Sequence, residues 1–483
     1  MSGAGTQDKI DVLLINPKCW TDPPPSYLPY GILWIAGFLR SHGISVSVFD
    51  RNVDTRKISD VISAFRPSIV GLSLLTGPVI MDAIRISKDV RALTPGAKVV
   101  WGGIHTTIFP EYVLKNDYVD YAVIGEGEAP LLEIAEAILS DKRRIEAIKN
   151  VGYKVDGKMV INPQREFIKN LDLLPDPAWD LVDIEKYAMQ KFYSRRVITL
   201  NTSRGCPHRC AFCYNQAVNK RIWRGISAER LFKQVVYLKE RYGISGFQMY
   251  DDEFDVNRER VRIFCELLIK NRVKISFAHF SRVNMANKGI YALEKEAGLK
   301  HIEFGVESGS QRILDFIRKD QTLEMIQGAF RICRELKIPA SALFMTGLPT
   351  ETEEDLEMTI NFLKTLKAHQ TINTIFRPFP ATKLFDYCVK EGLFSLPSEL
   401  EKQAEVFDYK GGSINVSKIP NNRLTETHSY FIFNNIKNEL LGCFKNFNLF
   451  LIWFYFKRKI NPGNLTYFFV GLKESIRNSF KKC

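Results

Sequence analysis

The sequence lacks the features that mark secreted, disordered and membrane-spanning proteins. Its N-terminus, MSGAGTQDKI, has no basic stretch followed by an apolar run, so no secretory signal is expected. Nine cysteines are an odd number, which argues against a disulfide framework and for reduced thiols or metal ligands. With 45% hydrophobic and 25% charged residues, the 483-residue chain has the composition of a globular protein of roughly two to four domains. A cytoplasmic location is expected.

The body of the chain also lacks a nucleic-acid reader module or a basic helical stripe, so nucleic acid is not an expected partner. The formal net charge is +13, but residues 421–483 hold ten Lys and Arg against three Glu, a net +7. The positive charge therefore belongs mostly to the C-terminal tail.

That tail contains the aromatic segment FNLFLIWFYF, residues 447–456, followed by Lys457, Arg458 and Lys459. A helix of this length is too short to span a bilayer, which needs roughly 20 residues. The segment can lie at a membrane interface, which would add a peripheral membrane contact, or it can line a pocket for an apolar substrate. A plain helix packed on the preceding domain is the third interpretation, and the sequence leaves all three open.

The first 140 residues alternate short apolar strands with amphipathic helices. The strand candidates include IDVLLI at 10–15, SVSVFD at 45–50 and IVGLSLL at 69–75, followed by KVVWGG and YAVIGEG. This alternation predicts a parallel sheet covered by helices on both faces, a doubly wound, Rossmann-like α/β fold. Ligands of such folds bind at the carboxyl ends of the strands, where the loops are rich in Gly, Pro and small polar residues.

After the first domain the alternation of strands and helices is interrupted by a linker, and a second α/β series follows. Residues 143–194 read as a linker with a hairpin at VGYKVDGKMVI, where Asp156 and Gly157 form the turn. About six βα units then begin at VITLNTSRGC and predict an incomplete, partial (β/α)6 barrel of the TIM type. The predicted domains are 8–142, the linker 143–194, a barrel at 195–400 and a mostly helical C-terminal segment at 401–483.

The strongest chemical signal is RGCPHRCAFCYN, in which Cys206, Cys210 and Cys213 have the spacing CxxxCxxC directly after a strand. Three thiolates on one loop can hold three irons of a 4Fe-4S cluster, and the lack of a fourth nearby cysteine leaves one iron open. A zinc site would more commonly have four ligands in paired CxxC form, although His208 inside the loop could complete one.

This loop resembles the signature of the radical S-adenosylmethionine (SAM) superfamily, including the aromatic residue before the third cysteine, Phe212. The resemblance implies that SAM binds the open iron through its amino and carboxylate groups. One-electron reduction, from a donor such as flavodoxin or ferredoxin, then cleaves SAM to a 5'-deoxyadenosyl radical. The implied chemistry is hydrogen abstraction.

Further motifs follow in the family's order over about 200 residues. YDDEF resembles the motif that receives the SAM amino group, which implicates Asp251, Asp252 and Glu253, although a solvated acidic loop is the plain alternative. Arg282 matches a position near the SAM carboxylate. In FGVESGSQRILDFIRKDQT, Glu307 and Ser308 match the pair that faces the methionine and ribose groups. MTGLPTET, at 345–352, and FRPFPAT, at 376–382, resemble late-barrel motifs, the first opening a helix with a Thr cap.

The N-terminal domain resembles the cobalamin-binding domain of one branch of this superfamily, which includes anaerobic Mg-protoporphyrin monomethyl ester cyclases, hopanoid methylases and antibiotic C-methyltransferases. The resemblance places Ser73, Leu75, Gly102 and Gly103 near the nucleotide tail of cobalamin, where glycine lets the backbone approach the ligand. The DxHxxG motif that supplies a cobalt-ligating histidine is absent from the first loop. A degenerate domain that only shapes the substrate channel is therefore the alternative.

The leading hypothesis is a radical SAM enzyme with a 4Fe-4S cluster, SAM and cobalamin, which methylates an unactivated carbon of a small, lipid-like or anionic substrate. The resemblance also allows a cyclase or another carbon-skeleton modification without methyl transfer. A non-catalytic iron-sulfur or cobalamin sensor is the alternative of a different class. The sequence identifies neither the substrate, nor a catalytic residue, nor the oligomeric state.

Overall fold

The computed structural model describes residues 9–18, 27–407 and 414–445, the last ten by their backbone. The strands are β1 Val12–Asn16, β2 Val46–Asp50, β3 Ile69–Ser73, β4 Lys98–Gly102, β5 Tyr121–Val123, β6 Val151–Val155, β7 Lys158–Ile161, β8 Met189–Lys191, β9 Ser194–Leu200, β10 Ser203–Arg204, β11 Arg224–Gly225, β12 Gly246–Met249, β13 Ser276–Ser281, β14 Leu299–Glu307, β15 Ala340–Thr346 and β16 Thr371–Ile375. All strands predicted for the N-terminal domain and the barrel are present.

The helices alternate with these strands as the sequence pattern predicts. They are α1 Tyr30–Ser41, α2 Ile58–Phe65, α3 Val79–Leu93, α4 Ile104–Ile108, α5 Pro110–Leu114, α6 Glu128–Ser140, α7 Asn215–Val218, α8 Ala228–Tyr242, α9 Arg258–Lys270, α10 Lys288–Ala297, α11 Gln311–Phe316, α12 Leu323–Glu335, α13 Glu353–Leu366, α14 Lys383–Lys390, α15 Leu400–Val406 and α16 Asn421–Lys445. Among the described helices, none is both long and apolar enough to cross a bilayer.

The chain forms two compact units, of which the first comprises the described residues of Met1–Pro207, Tyr214–Asp251 and Ser395–Gly412. Its large sheet has the order β2-β1-β3-β4-β5-β6-β7. Strands β1 to β5 are parallel, with the order reversing at β1 and β3 as in doubly wound folds. The predicted doubly wound arrangement is therefore present.

The core around this sheet is formed by continuously apolar strands and by the apolar faces of amphipathic helices. The β3 sequence IVGLS is almost wholly buried, as expected for a parallel strand covered on both faces. Helix α3 buries Ile80, Ala83, Ile84 and Val90, which recur at helical spacing on one face. Trp101 of β4 is fully buried, and its indole N–H donates to Ser87 Oγ of α3 at 2.9 Å.

The hairpin predicted at residues 151–161 forms as β6 and β7. Asp156 and Gly157 have φ values of 49° and 74°, the left-handed pair that a two-residue hairpin turn requires. Strand β6 pairs antiparallel with β5, so the hairpin extends the N-terminal sheet. The domain boundaries given above otherwise stay predictions.

The first unit also contains the beginning of the predicted barrel. Strands β9 and β12 are parallel, and β8 lies antiparallel to β9. The short strands β10 and β11 form a separate antiparallel ladder in which Arg204 lies opposite Arg224. Helix α8 begins at the Ser227 cap, whose Oγ accepts from Arg230 N, and ends at Gly243 with a φ of 63°.

The second unit comprises His208–Cys213, Asp252–Phe394 and the described residues of Ser413–Cys483. Its strands have the order β16-β15-β14-β13 and are all parallel. Helix α13 opens on a capping box, in which the Thr352 side chain accepts from Asp355 N and Asp355 accepts from Thr352 N. This is the Thr-capped helix expected after the MTGLPTET motif.

The last described helix, α16, packs on β16. The Asn435 side chain accepts from Thr371 N at 2.8 Å and donates to the Thr371 carbonyl, while the Phe431 ring lies 5.3 Å from that of Phe344. The described part of the C-terminal segment thus contains the helices Leu400–Val406 and Asn421–Lys445. The aromatic segment 447–456 and the basic residues after it lie outside the described residues.

Candidate functional site

The three motif cysteines lie in the loop between β10 and α7. Cys210 is buried, whereas Cys206 and Cys213 are half-buried, and the Cys213 N–H donates to the Cys210 carbonyl at 3.1 Å. None of the six cysteines whose side chains the structure describes forms a disulfide. Three thiols within eight residues are the donor set of a 4Fe-4S cluster with one open iron, and they fit that group.

Arg282, at the end of β13, contacts this loop directly. Its Nη1 lies 2.9 Å from Cys210 Sγ, its Nη2 donates to the Lys319 carbonyl, and its backbone N–H donates to Glu253 Oε1 at 3.1 Å. The guanidinium thus donates toward a sulfur of the proposed cluster loop. The structure therefore joins Arg282 to the cysteine loop, and its predicted contact with the SAM carboxylate stays a prediction.

His208 is the other polar side chain inside the loop. Its Nε2 is buried without a hydrogen-bond partner among the described residues. Burial, and then the nearby cations of Arg282 and Lys319, lower the pKa of His208 to about 4. The imidazole is therefore neutral at physiological pH.

Asp251 is tied to the chain that leads into the cysteine loop. Its carboxylate accepts from Thr202 N at 2.7 Å, from Thr202 Oγ1 at 2.9 Å and from Ser203 Oγ at 2.8 Å, and also from Ser203 N. The side chain is buried, whereas the neighbouring Asp252 is exposed. Among the three acidic residues of YDDEF, Asp251 thus has a clear structural role: it holds the residues that lead into the cysteine loop.

Glu253 belongs to a buried group of side chains in the second unit. Burial, and then the adjacent Asp255, raise the pKa of Glu253 well above its ordinary value. Asp255 accepts from Ser281 Oγ at 2.7 Å, and Ser281 precedes Arg282. The Glu253 carboxyl group therefore lies beside the Arg282 backbone. Its contact with SAM stays a prediction.

Glu307 ends β14 in an unusual backbone conformation, and Ser308 follows it. Glu307 has a φ of 66°, and its Oε1 accepts from Lys319 Nζ at 2.6 Å. Ser308 is fully buried, and its Oγ lies 3.1 Å from Thr359 Oγ1 on α13. Both side chains therefore have protein partners, and their predicted contacts with SAM are untested.

In the N-terminal domain, Gly102 and Gly103 hold the end of β4 against the end of β3. Leu74 N donates to the Gly102 carbonyl at 2.9 Å, and His105 N donates to the Leu74 carbonyl at 3.1 Å. Gly103 has a φ of 88°, and a Cβ placed on it would lie 2.6 Å from the Leu74 carbonyl oxygen. Glycine is thus required at position 103 by both conformation and space.

The same loops present an apolar side chain at the carboxyl edge of the sheet. Leu75 is 61% exposed and Ser73 is half-buried, whereas a Cβ on Gly102 would meet no atom closer than 3.7 Å. Ligands of doubly wound sheets bind at this edge, and glycines with an exposed leucine there fit an approach by the large, partly apolar cobalamin. These residues could hold it through backbone and apolar contact.

His105 lies beneath these loops and is fully buried. Its Nδ1 is 3.3 Å from Thr76 Oγ1, and burial lowers its pKa to about 4. The imidazole thus belongs to the interior of the domain.

Several residues of the site were not found from the sequence. Lys319 lies inside a quoted motif, but its neighbours Arg318 and Asp320 are also charged, so no local signal marked it as buried. Thr202, Ser203 and Asp255 carry no local signal, because their partners are 26 to 49 residues away in the chain.

The family models cover both parts of the chain. Residues 23–135 match the B12 binding domain, and residues 200–363 match the radical SAM superfamily. A relative described as an uncharacterized methyltransferase, from Pyrococcus horikoshii, is 34% identical over 370 residues, covering 76% of this chain and 79% of that protein. The anaerobic magnesium-protoporphyrin IX monomethyl ester cyclase of Rubrivivax gelatinosus is 29% identical over 399 residues, covering 80% and 68%.

Among solved structures, the radical SAM methyltransferase TsrM of Kitasatospora setae, with cobalamin and a [4Fe-4S] cluster bound, is similar with a TM-score of 0.67. The match covers 79% of this chain and 75% of that one at 20% sequence identity. At this identity the likeness concerns the fold. It confirms the predicted architecture, a Rossmann-like domain followed by a partial barrel.

Proposed function

Because the chain belongs to the radical SAM superfamily and carries a B12-binding domain, we propose that it methylates an unactivated carbon of a small molecule. Membership implies a 4Fe-4S cluster and SAM as cofactors, and the B12-binding domain implies cobalamin. When bound, the cluster and SAM supply hydrogen abstraction, and cobalamin carries the methyl group.

One observation carries this proposal, the presence in a single chain of two differently built sites. The cysteine loop offers three thiols with the Arg282 guanidinium against Cys210. The β3 and β4 loops offer the exposed Leu75 and a glycine pair in close backbone contact. Methyl transfer through cobalamin needs a site for cobalamin as well as the cluster and SAM, so the presence of a B12-binding domain with this glycine-lined edge supports methylation.

The chain's own residues have definite tasks in this proposal. Arg282 donates a hydrogen bond to Cys210 Sγ and orients the Glu253 carboxyl group through its backbone N–H. Asp251 holds the residues before the loop, and Lys319 neutralises Glu307. As part of the proposal we assign the SAM contacts to the residues expected from the sequence, Asp251, Asp252, Glu253, Arg282, Glu307 and Ser308. The cobalamin contacts are assigned to Ser73, Leu75, Gly102 and Gly103.

The first experiment is anaerobic purification with hydroxocobalamin, followed by quantification of iron, sulfide and cobalt. About four irons with one cobalt per chain are expected from a 4Fe-4S cluster on three cysteines and one cobalamin. Iron without cobalt would make the first domain a scaffold and contradict methylation. The protein carrying Cys206→Ala, Cys210→Ala and Cys213→Ala is the control for iron.

The second experiment separates methyl transfer from the cyclase chemistry that the Rubrivivax relative favours. The reduced enzyme, reconstituted with both the cluster and hydroxocobalamin so that cobalamin can accept the methyl group, is incubated with SAM, and 5'-deoxyadenosine and S-adenosylhomocysteine are both measured. Methylation uses one SAM for the radical and another as methyl donor, so both products are expected. 5'-Deoxyadenosine alone would support cyclisation or another skeletal change.

We further propose that the substrate is lipid-like or anionic and that the C-terminal segment meets a membrane surface. The support is the sequence alone, namely the aromatic segment 447–456 with the basic residues that follow it. Replacing Phe450, Trp453 and Phe454 with Ser is expected to weaken binding to anionic liposomes. Unchanged partition of a folded variant would contradict the membrane contact. An external one-electron donor such as flavodoxin or ferredoxin completes the proposed set of partners.

A further inference from the structure

Two arginines and two glutamates form a buried ionic network within the first unit, here called the arginine bridge. Arg204 Nη1 lies 2.7 Å from Glu126 Oε1, Arg204 Nη2 lies 2.5 Å from Glu128 Oε1, and Arg224 Nη1 lies 2.8 Å from Glu126 Oε1. The side chains are only 3% to 21% exposed. Charges this well buried are held firmly, because losing one partner leaves the other charge unpaired.

The arginine bridge is fastened to the backbone as well. Glu126 Oε2 accepts from Ile168 N at 2.7 Å, while Arg224 donates to the Ile168 carbonyl at 3.0 Å. The Arg224 guanidinium also lies 4.6 Å from the centre of the Phe167 ring. The network therefore has a single geometry, since each guanidinium has several fixed partners.

One end of the arginine bridge reaches the loops proposed to hold cobalamin. Glu126 follows Gly125, whose N–H donates to Thr107 Oγ1 at 2.9 Å. Thr107 in turn donates to the Gly103 carbonyl at 2.8 Å. Two hydrogen bonds and the peptide bond between Gly125 and Glu126 thus connect Gly103 with the arginine bridge.

The other end reaches the cysteine loop. Arg204 and Arg224 face each other across the β10 and β11 ladder, and Gly205 separates Arg204 from Cys206. Gly205 has a φ of 85°, and a Cβ on it would lie 2.2 Å from the Ile222 carbonyl oxygen. The backbone between Arg204 and Cys206 is therefore tightly packed, so a shift of Arg204 moves the first cluster ligand.

We propose that the arginine bridge couples the two cofactor sites, so that an assembled cluster tightens the binding of cobalamin. This inference rests on the proposed function. Arg204 acts as a positioning residue, because it fixes the Cys206 end of the loop against the loop after β5. Coupling between sites is reciprocal, so cobalamin is equally expected to stabilise the assembled cluster.

The test compares hydroxocobalamin affinity before and after anaerobic reconstitution of the cluster. In the unmodified protein, reconstitution is expected to lower the Kd at least about fivefold, the lower range of measured allosteric couplings. The test variant carries Arg204→Gln and Glu128→Gln together. Removing both partners avoids an unpaired buried charge and leaves the Glu126 and Arg224 pair in place, so this variant is expected to fold. In this variant the Kd for hydroxocobalamin should be nearly the same before and after reconstitution, so that the ratio of the two values falls to about one.

A matched control carries Arg165→Gln and Glu133→Gln together, which removes another ion pair of the same unit. Arg165 and Glu133 lie 2.7 Å apart with similar burial, and neither belongs to the β10 and β11 ladder. This variant should keep the full ratio. Hydrogen exchange of the cofactor-free proteins gives an independent readout, since the double variant should exchange faster at residues 203–206 and the control should not.

Three other results would overturn the coupling. The double variant could load iron and still show the same change in hydroxocobalamin Kd on reconstitution as the unmodified protein. That result would show that the arginine bridge does not transmit the coupling. A ratio of one in the unmodified protein would show that no coupling exists, while leaving the proposed function intact. Failure of the unmodified protein to bind hydroxocobalamin at all would overturn the proposed function and the coupling with it.

Discussion

Lys319 Nζ lies 2.6 Å from Glu307 Oε1, and the two side chains are 6% and 10% exposed. Glu307 adopts a left-handed backbone conformation with a φ of 66°. Gly305 makes room for the pair, because a Cβ placed there would lie 2.7 Å from both Glu307 Oε1 and Lys319 Nζ. A buried ion pair therefore holds the turn at the end of β14, where SAM is proposed to bind.

Glu307→Gln is expected to lower the free energy of unfolding by about 3 kcal/mol, because it leaves the Lys319 ammonium buried without its carboxylate. Denaturant unfolding of the cofactor-free protein measures this. The double variant with Glu307→Gln and Lys319→Met should recover most of the loss. A single variant as stable as the unmodified protein would show that the pair contributes nothing to the turn.

Replacing Cys206, Cys210 and Cys213 with Ala is expected to abolish the roughly 400 nm iron-sulfur absorbance, because thiolates hold the cluster. Iron and sulfide analysis after anaerobic reconstitution provides the measurement. Cys265→Ala is the control, since this buried cysteine lies on α9 outside the loop. Retained iron and sulfide in the triple variant would refute the site.

Asp251→Asn is expected to lower the free energy of unfolding by about 1–3 kcal/mol, because one carboxylate oxygen that accepts hydrogen bonds becomes an NH2 group. Less iron should also be retained after reconstitution, since Thr202 and Ser203 lead into the cysteine loop. The exposed Asp252 supplies the control for stability as Asp252→Asn. Equal stability of the two variants would argue against the structural role of Asp251.

We expect the protein to become less stable to unfolding at alkaline pH because of the buried Glu351. Burial raises its pKa from 4.5 to about 8, although the Gly347 and Leu348 N–H groups donate to its Oε2. A raised pKa means that the folded protein binds the proton more tightly, so this contribution is complete below pH 4.5 and disappears as the pH rises through 8. Unfolding measured across this range should show the decline, and Glu351→Gln should flatten it. An unchanged slope in the variant would assign the effect elsewhere.

We expect His105 to have the opposite effect, a loss of stability at acidic pH. Burial lowers its pKa from 6.5 to about 4, so the unfolded chain binds the proton more readily. Stability is therefore lost as the pH falls from 6.5 toward 4. Thermal unfolding of His105→Gln should vary less over this range than that of the unmodified protein. His42→Gln removes an exposed histidine and serves as the comparison.

Much of the fold could be predicted from the sequence because its signals are local. Alternating apolar strands and one-sided helices predicted both α/β series, and the Asp156-Gly157 pair predicted the β6 and β7 hairpin. The spacing of Cys206, Cys210 and Cys213 likewise predicts a cluster loop, since ligands that share one loop leave their pattern in the sequence.

The sequence by itself determined the strands, the helices, the cysteine loop and the family. Only the tertiary structure decided that Asp251 holds Thr202 and Ser203, that Lys319 neutralises Glu307, and that Arg204 joins the cysteine loop to Glu126 and Glu128. The reason is physical: secondary structure follows from the periodicity of neighbouring residues, whereas the partner of a buried charge is whichever group the fold brings within hydrogen-bonding distance. For Arg204 that group lies 76 or 78 residues away in the chain.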